Sequence, residues 1–78
     1  MKPIRKNAIS PVVIDVGKNI KKIILDKKLR QRDVAHDAGL DVENLRKYIK
    51  GSQEMKISTM LKIVHALQIK VEDLFVVE

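Results

Sequence analysis

Residues 31–50, QRDVAHDAGLDVENLRKYIK, carry a glycine near their middle, with apolar residues recurring at spacings of three and four on either side of it. Before Gly39, the residues Val34, Ala35 and Ala38 share one helical face; after it, Leu45, Tyr48 and Ile49 share another. The pattern predicts two short helices, 31–38 and 42–50, with Gly39 in the left-handed conformation that ends the first. Asp41 stands where a side-chain oxygen can cap the second helix by accepting backbone N–H groups, and Gly51 closes that helix as Gly39 closes the one before. Two helices crossing through a short turn need a small residue at the crossing and a glycine in the turn, which Ala35 and Gly39 supply.

Upstream, Val13, Val16, Ile20, Ile23 and Ile24 predict the longest helix, over 12–28. Its lysines, Lys18, Lys21, Lys22, Lys27 and Lys28, lie elsewhere on the circumference and gather toward the C-terminal half, where they suit the helix dipole. Downstream, 52–56 is a polar loop. Ile57, Met60, Leu61, Val64 and Leu67 predict a fourth helix, and Val71, Leu74 and Phe75 a short fifth. Only Phe75, Val76 and Val77 hint at a strand. The first eleven residues, MKPIRKNAISP, hold two prolines and three cations and are expected to form a basic flexible arm. The organisation is therefore an arm over 1–11 and one all-α domain over 12–78 that ends in a short tail.

Composition sets outer bounds. A chain of 78 residues with 45% apolar content has room for one small core, and the absence of cysteine excludes both a disulfide framework and a cysteine-based zinc module. A reducing cytoplasm is the expected compartment, and neither a membrane-spanning run nor a secretory leader is expected, since Asp15 interrupts the apolar residues that follow the basic start. The formal net charge of +6 is unevenly spread: residues 1–32 hold ten Lys/Arg against two acids, residues 33–78 six against eight. A positive field of that kind attracts polyanions, nucleic acid or an acidic membrane surface, and charge alone does not choose between them.

Catalytic and metal chemistry find little to build on. His36 and His65 fall on different predicted helices without partners at ligand spacing. Asp33, Asp37 and Asp41 recur every four residues, but Asp41 lies across the turn, so they form no shared acidic face. No nucleophile stands beside a base and no glycine loop cradles a phosphate, so a non-enzyme without metal or cofactor is expected.

Three segments at matching intervals resemble the phage-repressor and Cro type of helix-turn-helix protein, the Xre family. They are Val16-Gly17-Lys18-Asn19-Ile20-Lys21-Lys22-Ile23, the stretch Leu29-Arg30-Gln31-Arg32-Asp33-Val34-Ala35-His36-Asp37-Ala38-Gly39-Leu40-Asp41, and Leu61-Lys62-Ile63-Val64-His65-Ala66-Leu67-Gln68-Ile69 followed by Leu74-Phe75. The similarity runs from about Val16 to Phe75. It implies a compact five-helix, lambda-repressor-like DNA-binding domain with the helix-turn-helix at helices two and three, the third being the recognition helix that enters the major groove.

By that resemblance Gln31, and Arg32 beside it, contact DNA from the start of the second helix. Val42, Glu43, Asn44 and Lys47 occupy recognition positions, flanked by Arg46 and Lys50. Lys47 can donate to guanine or phosphate, and Asn44 can pair with adenine or hold the backbone. Two alternatives stay open: Val42 packs on a thymine methyl or closes the core, and Glu43 accepts from a cytosine amino group or is an outward surface acid.

The departures are specific. Arg30 replaces the usual Thr or Ser cap of the second helix, Lys28 stands where a glycine often ends the first, and Lys56 and Lys70 stand where serine caps are common. Where many members bury an arginine–glutamate pair between the first and third helices, this chain has Ile24 and Ile49, expected to pack on each other. The implied function is a sequence-specific regulator of transcription, a repressor, binding double-stranded DNA. The alternative function is a module using the same fold mainly to bind protein, such as an antitoxin with a toxin partner. A homodimer, at least on DNA, through the last helix and tail is expected because Leu74, Phe75, Val76 and Val77 leave more apolar surface than so small a core can cover; the alternative is that the tail folds back over the first helix.

Overall fold

The computed structural model describes residues 10–76, which hold four α-helices, one 3-10 helix and no strand. Helix α1 spans Pro11–Asp26, α2 Gln31–Asp37, α3 Val42–Lys50 and α4 Ile57–Leu67, and the 3-10 helix spans Val71–Phe75. Residues 1–9 of the expected arm, and Val77, lie outside the described residues.

Helix α1 starts one residue earlier than its apolar periodicity implies. Pro11 takes the first helical position, where a missing N–H costs nothing, and the Ser10 hydroxyl accepts from the Val12 N–H at 3.3 Å. The helix also ends earlier, at Asp26, because Lys28 turns left-handed with φ 56°. The Lys28 N–H then donates to the Leu25 carbonyl at 3.1 Å and the Leu29 N–H to the Ile24 carbonyl at 2.9 Å, the paired closure that satisfies the last carbonyls of a helix. The other three helices end the same way. Gly39 (φ 69°) and Gly51 (φ 70°) behave as their sequence positions predict, although α2 itself stops at Asp37, and α4 closes on Gln68 at φ 56°.

Two local expectations are corrected. Asp41 has the extended backbone of a cap residue, and its carbonyl accepts from the Leu45 N–H at 3.1 Å, but its exposed side chain makes no capping hydrogen bond. The fifth element is a 3-10 helix, with the Asp73 N–H bonded to the Lys70 carbonyl at 3.0 Å. Five residues are too few to offset α-helical nucleation, and the tighter turn is the form used in short pieces.

The core is aliphatic, as the composition requires. Ile20, Leu45, Ile63 and Leu74 are completely buried, with Val16, Ile24, Val34, Ala35, Ala38, Tyr48, Ile49, Val64 and Leu67 around them. Ile24 and Ile49 thus sit in the same cluster, and no polar or charged residue is buried in it. Ile63 is a core residue that the spacing of Ile57, Met60, Leu61, Val64 and Leu67 does not single out. Ile57 and Leu61, chosen by that spacing, stand 75% and 52% exposed.

The terminal segment folds onto α1. Leu74 is buried, so it contributes nothing to an exposed apolar tail, while Phe75 and Val76 are 45% and 52% exposed. The Asn19 side-chain amide donates to the Leu74 carbonyl at 2.7 Å and the Val76 carbonyl at 2.9 Å, tying the segment's backbone to α1. No strand forms at Phe75 or Val76 among the described residues.

Candidate nucleic-acid interface

Helices α2 and α3 turn their apolar faces inward, and this decides what they show outside. Val34, Ala35 and Ala38 of the α2 segment, and Leu45, Tyr48 and Ile49 of α3, are buried. Ala35, the small residue expected at the crossing of the two helices, is buried in the core cluster, and Gly39 in the turn has a left-handed φ of 69°. Arg32, Glu43, Asn44, Arg46, Lys47 and Lys50 are all exposed, and Gln31 is half-buried. Val42 is also half-buried and packs against the core cluster, so at least part of its side chain closes the interior.

Three of these side chains are joined. Arg46 Nη1 donates to Glu43 Oε1 at 2.8 Å within α3, and Arg46 Nε donates to Gln31 Oε1 at 3.4 Å across to the first residue of α2. The spacing of Glu43 and Arg46, three apart on a helix, makes their pairing legible in sequence. The bond to Gln31, fifteen residues away, depends on the crossing of the two helices and is not. Arg32, Asn44, Lys47 and Lys50 lie outside this network, with Lys47 and Lys50 in the last turn of α3, where cations suit the helix dipole. The carbonyl of Lys47 accepts from both the N–H and the hydroxyl of Ser52, each at 3.1 Å, which fixes the exit from α3.

The back of α3 rests on α1 through two glycines. A Cβ on Gly17 would lie 2.6 Å from the Ile49 carbonyl oxygen and closer still to that of Tyr48; one on Gly51 would lie 2.9 Å from the Ile14 Cα. Neither Gly17 nor Asn19 stood out as a functional candidate in the sequence. Both act at a distance, by setting how α3 and the terminal segment lie on α1.

The exposed side chains of this surface are hydrogen-bonding and charged groups. Among the described residues no group of three or more His, Cys, Asp or Glu gathers at metal-binding distance, and no helix is long and apolar enough to cross a membrane.

Comparison with known proteins agrees with this geometry. Residues 19–78 match the family model described as the Cro/C1-type helix-turn-helix DNA-binding domain. The restriction-modification controller protein C.AhdI from Aeromonas hydrophila superposes with a TM-score of 0.78 at 25% identity, over 81% of this chain and 96% of that one. The controller protein C.Esp1396I, solved as a tetramer in complex with its natural 35 base-pair operator, superposes with a TM-score of 0.78 at 27% identity, over 85% of this chain and 87% of its own. The clp gene regulator ClgR from C. glutamicum shares the fold, with a TM-score of 0.78 at 19% identity over 94% of this chain and 86% of that one. No curated protein matches the sequence.

Proposed function

The chain belongs to the family of Cro/C1-type helix-turn-helix DNA-binding domains, and from that membership we propose that it is a sequence-specific regulator of transcription, a repressor, that inserts α3 into the major groove of its operator. The observation that carries this reading is the division of α3. Leu45, Tyr48 and Ile49 are buried against the domain, while Glu43, Asn44, Arg46, Lys47 and Lys50 stand in solvent on a helix whose position is fixed from behind by α1. A groove-reading helix needs both: a rigid back and a polar front.

The protein binds DNA as a homodimer in this proposal. Val12 and Phe75 line one cleft between the start of α1 and the terminal segment, and they are 53% and 45% exposed, with Val76 at 52%. That places apolar surface from both ends of the described chain side by side, in reach of a second copy. The operator-bound C.Esp1396I tetramer is an assembly of higher order, to which a dimer of this chain would correspond as half.

The test is a binding titration against random duplex and against a duplex enriched from a random library, at two salt concentrations. A regulator of this kind binds the enriched duplex about 10³-fold or more tighter than random duplex and loses affinity steeply with salt on both. Absence of any enriched sequence, with no salt-dependent binding, would refute the reading and favour a module that binds protein alone.

A further inference from the structure

We propose that Glu43 reads no base itself and is instead a positioning residue, which together with Gln31 orients Arg46 toward a guanine of the operator. The inference rests on α3 entering the major groove. It starts from the two bonds of Arg46, Nη1 to Glu43 Oε1 at 2.8 Å and Nε to Gln31 Oε1 at 3.4 Å.

The fold gains little from this network. The side chains of Arg46 and Glu43 are 49% and 74% exposed, and ion pairs so open to water add little to stability. What the bonds do fix is geometry. A guanidinium is a planar fork, and holding it at both Nε and Nη1, from two different helices, sets its plane while leaving Nη2 and the second Nη1 hydrogen to donate outward.

Charge decides which acceptor such a fork suits. Next to the Glu43 carboxylate the guanidinium is locally neutralised, and an approaching phosphate meets a carboxylate as well as a cation. The guanine edge carries no net charge, and its O6 and N7 accept a fork of donors in the plane the clasp sets. The pair therefore loses more against a phosphate than against guanine. Lys47 and Lys50, outside the clasp, are the α3 cations better placed to neutralise the backbone.

The experiment selects duplexes from a random library with the wild-type chain and with the Arg46→Ala, Glu43→Ala, Glu43→Gln and Gln31→Ala variants, then titrates each protein against the wild-type consensus and its single-base changes. Wild type is expected to require one guanine per half-site, whose replacement by adenine or by 7-deazaguanine costs about tenfold or more. Arg46→Ala should lose that requirement. Glu43→Ala should weaken the same requirement and no other, and should bind random duplex more tightly, as the released cation meets phosphates. Glu43→Gln keeps an acceptor for Nη1 and should retain more of the guanine requirement than Glu43→Ala, and Gln31→Ala should relax it partly. Thermal melts of all four should stay near wild type.

The proposal is overturned if Glu43→Ala removes a preference for cytosine that Arg46→Ala leaves intact, since Glu43 would then be the reader. It is equally overturned if Arg46→Ala lowers affinity uniformly across sequences, the behaviour of a group that meets only phosphate. Failure of wild type to enrich any sequence would refute the groove-reading function itself, a result distinct from a consensus that lacks the Arg46-dependent guanine.

Discussion

Gly17 on α1 lies so close to Ile49 on α3 that a Cβ on the glycine would stand 2.6 Å from the isoleucine carbonyl oxygen. The obstacle is backbone on both sides, so no side chain can swing away to make room. The absence of one methyl group thus lets α1 seat directly against the back of α3, the helix proposed to face DNA. Any change in that spacing is passed to the angle at which Asn44, Arg46 and Lys47 are presented.

The Gly17→Ala variant is therefore expected to be destabilised by overpacking, by about 1–3 kcal/mol. At about 4–8 °C per kcal/mol for a domain of this size, a fall of several degrees in Tm follows. Gly39→Ala makes a useful contrast. No atom lies within 4 Å of a Cβ there, so its cost comes only from the left-handed φ of 69°, about 1–2 kcal/mol. Thermal melts of Gly17→Ala indistinguishable from wild type would show that α1 and α3 separate easily.

Ile24 and Ile49 are buried at 2% and 9% exposure in the same cluster. A single Ile49→Glu change leaves a buried carboxylate without a partner and is expected to cost about 3–5 kcal/mol, with Ile24→Arg in the same chain recovering much of it by supplying the opposite charge. Chemical denaturation of the single and double variants checks this. A double variant no more stable than Ile49→Glu alone would mean that the two positions do not face each other.

Asn44 and Lys47 project from α3 away from Leu45, Tyr48 and Ile49 and are exposed. Asn44→Ala and Lys47→Ala should leave the melting transition in place and both should weaken operator binding, Asn44→Ala by about 1–3 kcal/mol, the worth of one good pairing with a base edge, and Lys47→Ala with a shallower salt dependence, as expected of a lost phosphate contact. Operator titrations identical to wild type for both would place the recognition surface elsewhere on the domain.

For self-association, the informative residue is Phe75, because Leu74 beside it is fully buried and serves the core. The Phe75→Asp variant is expected to remain folded, held by Leu74 and by the Asn19 bonds to the Leu74 and Val76 carbonyls, and to sediment as a monomer where wild type sediments as a dimer. Wild type that stays monomeric at high micromolar concentration, with and without a palindromic duplex, would rule the dimer out.

Removal of residues 1–9 takes away Lys2, Arg5 and Lys6 but spares Ser10, whose hydroxyl caps α1. The slope of log affinity against log salt should become shallower by up to about 0.9 for each phosphate that these cations had neutralised, with base preferences unchanged. An unchanged slope would show that they do not meet DNA.

Much of this protein is written locally in its sequence. The recurrence of apolar residues at three and four places determined α1, α2 and α3 to within a residue or two, and Gly39 and Gly51 determined two helix ends, because helical periodicity and left-handed closure depend only on near neighbours. The exposed set on α3 followed from the same periodicity, since fixing the buried face fixes the opposite one. Local pattern failed where the outcome depends on what stands across the gap. It favoured Ile57 and Leu61 over Ile63 in α4, where the packing partners chose otherwise. It left open whether Leu74 lies in an exposed tail or folds back over the first helix; α1 covers it, with Asn19 bonded to carbonyls fifty-five and fifty-seven residues away in the chain. Val42 and Glu43 each had two readings of equal chemical merit. The spacing of Glu43 and Arg46 made their pairing legible, but only the assembled domain could place Val42 at the edge of the core and bring Gln31 to the other side of Arg46, because the position of α2 against α3 is set by the whole core and by no segment of it alone.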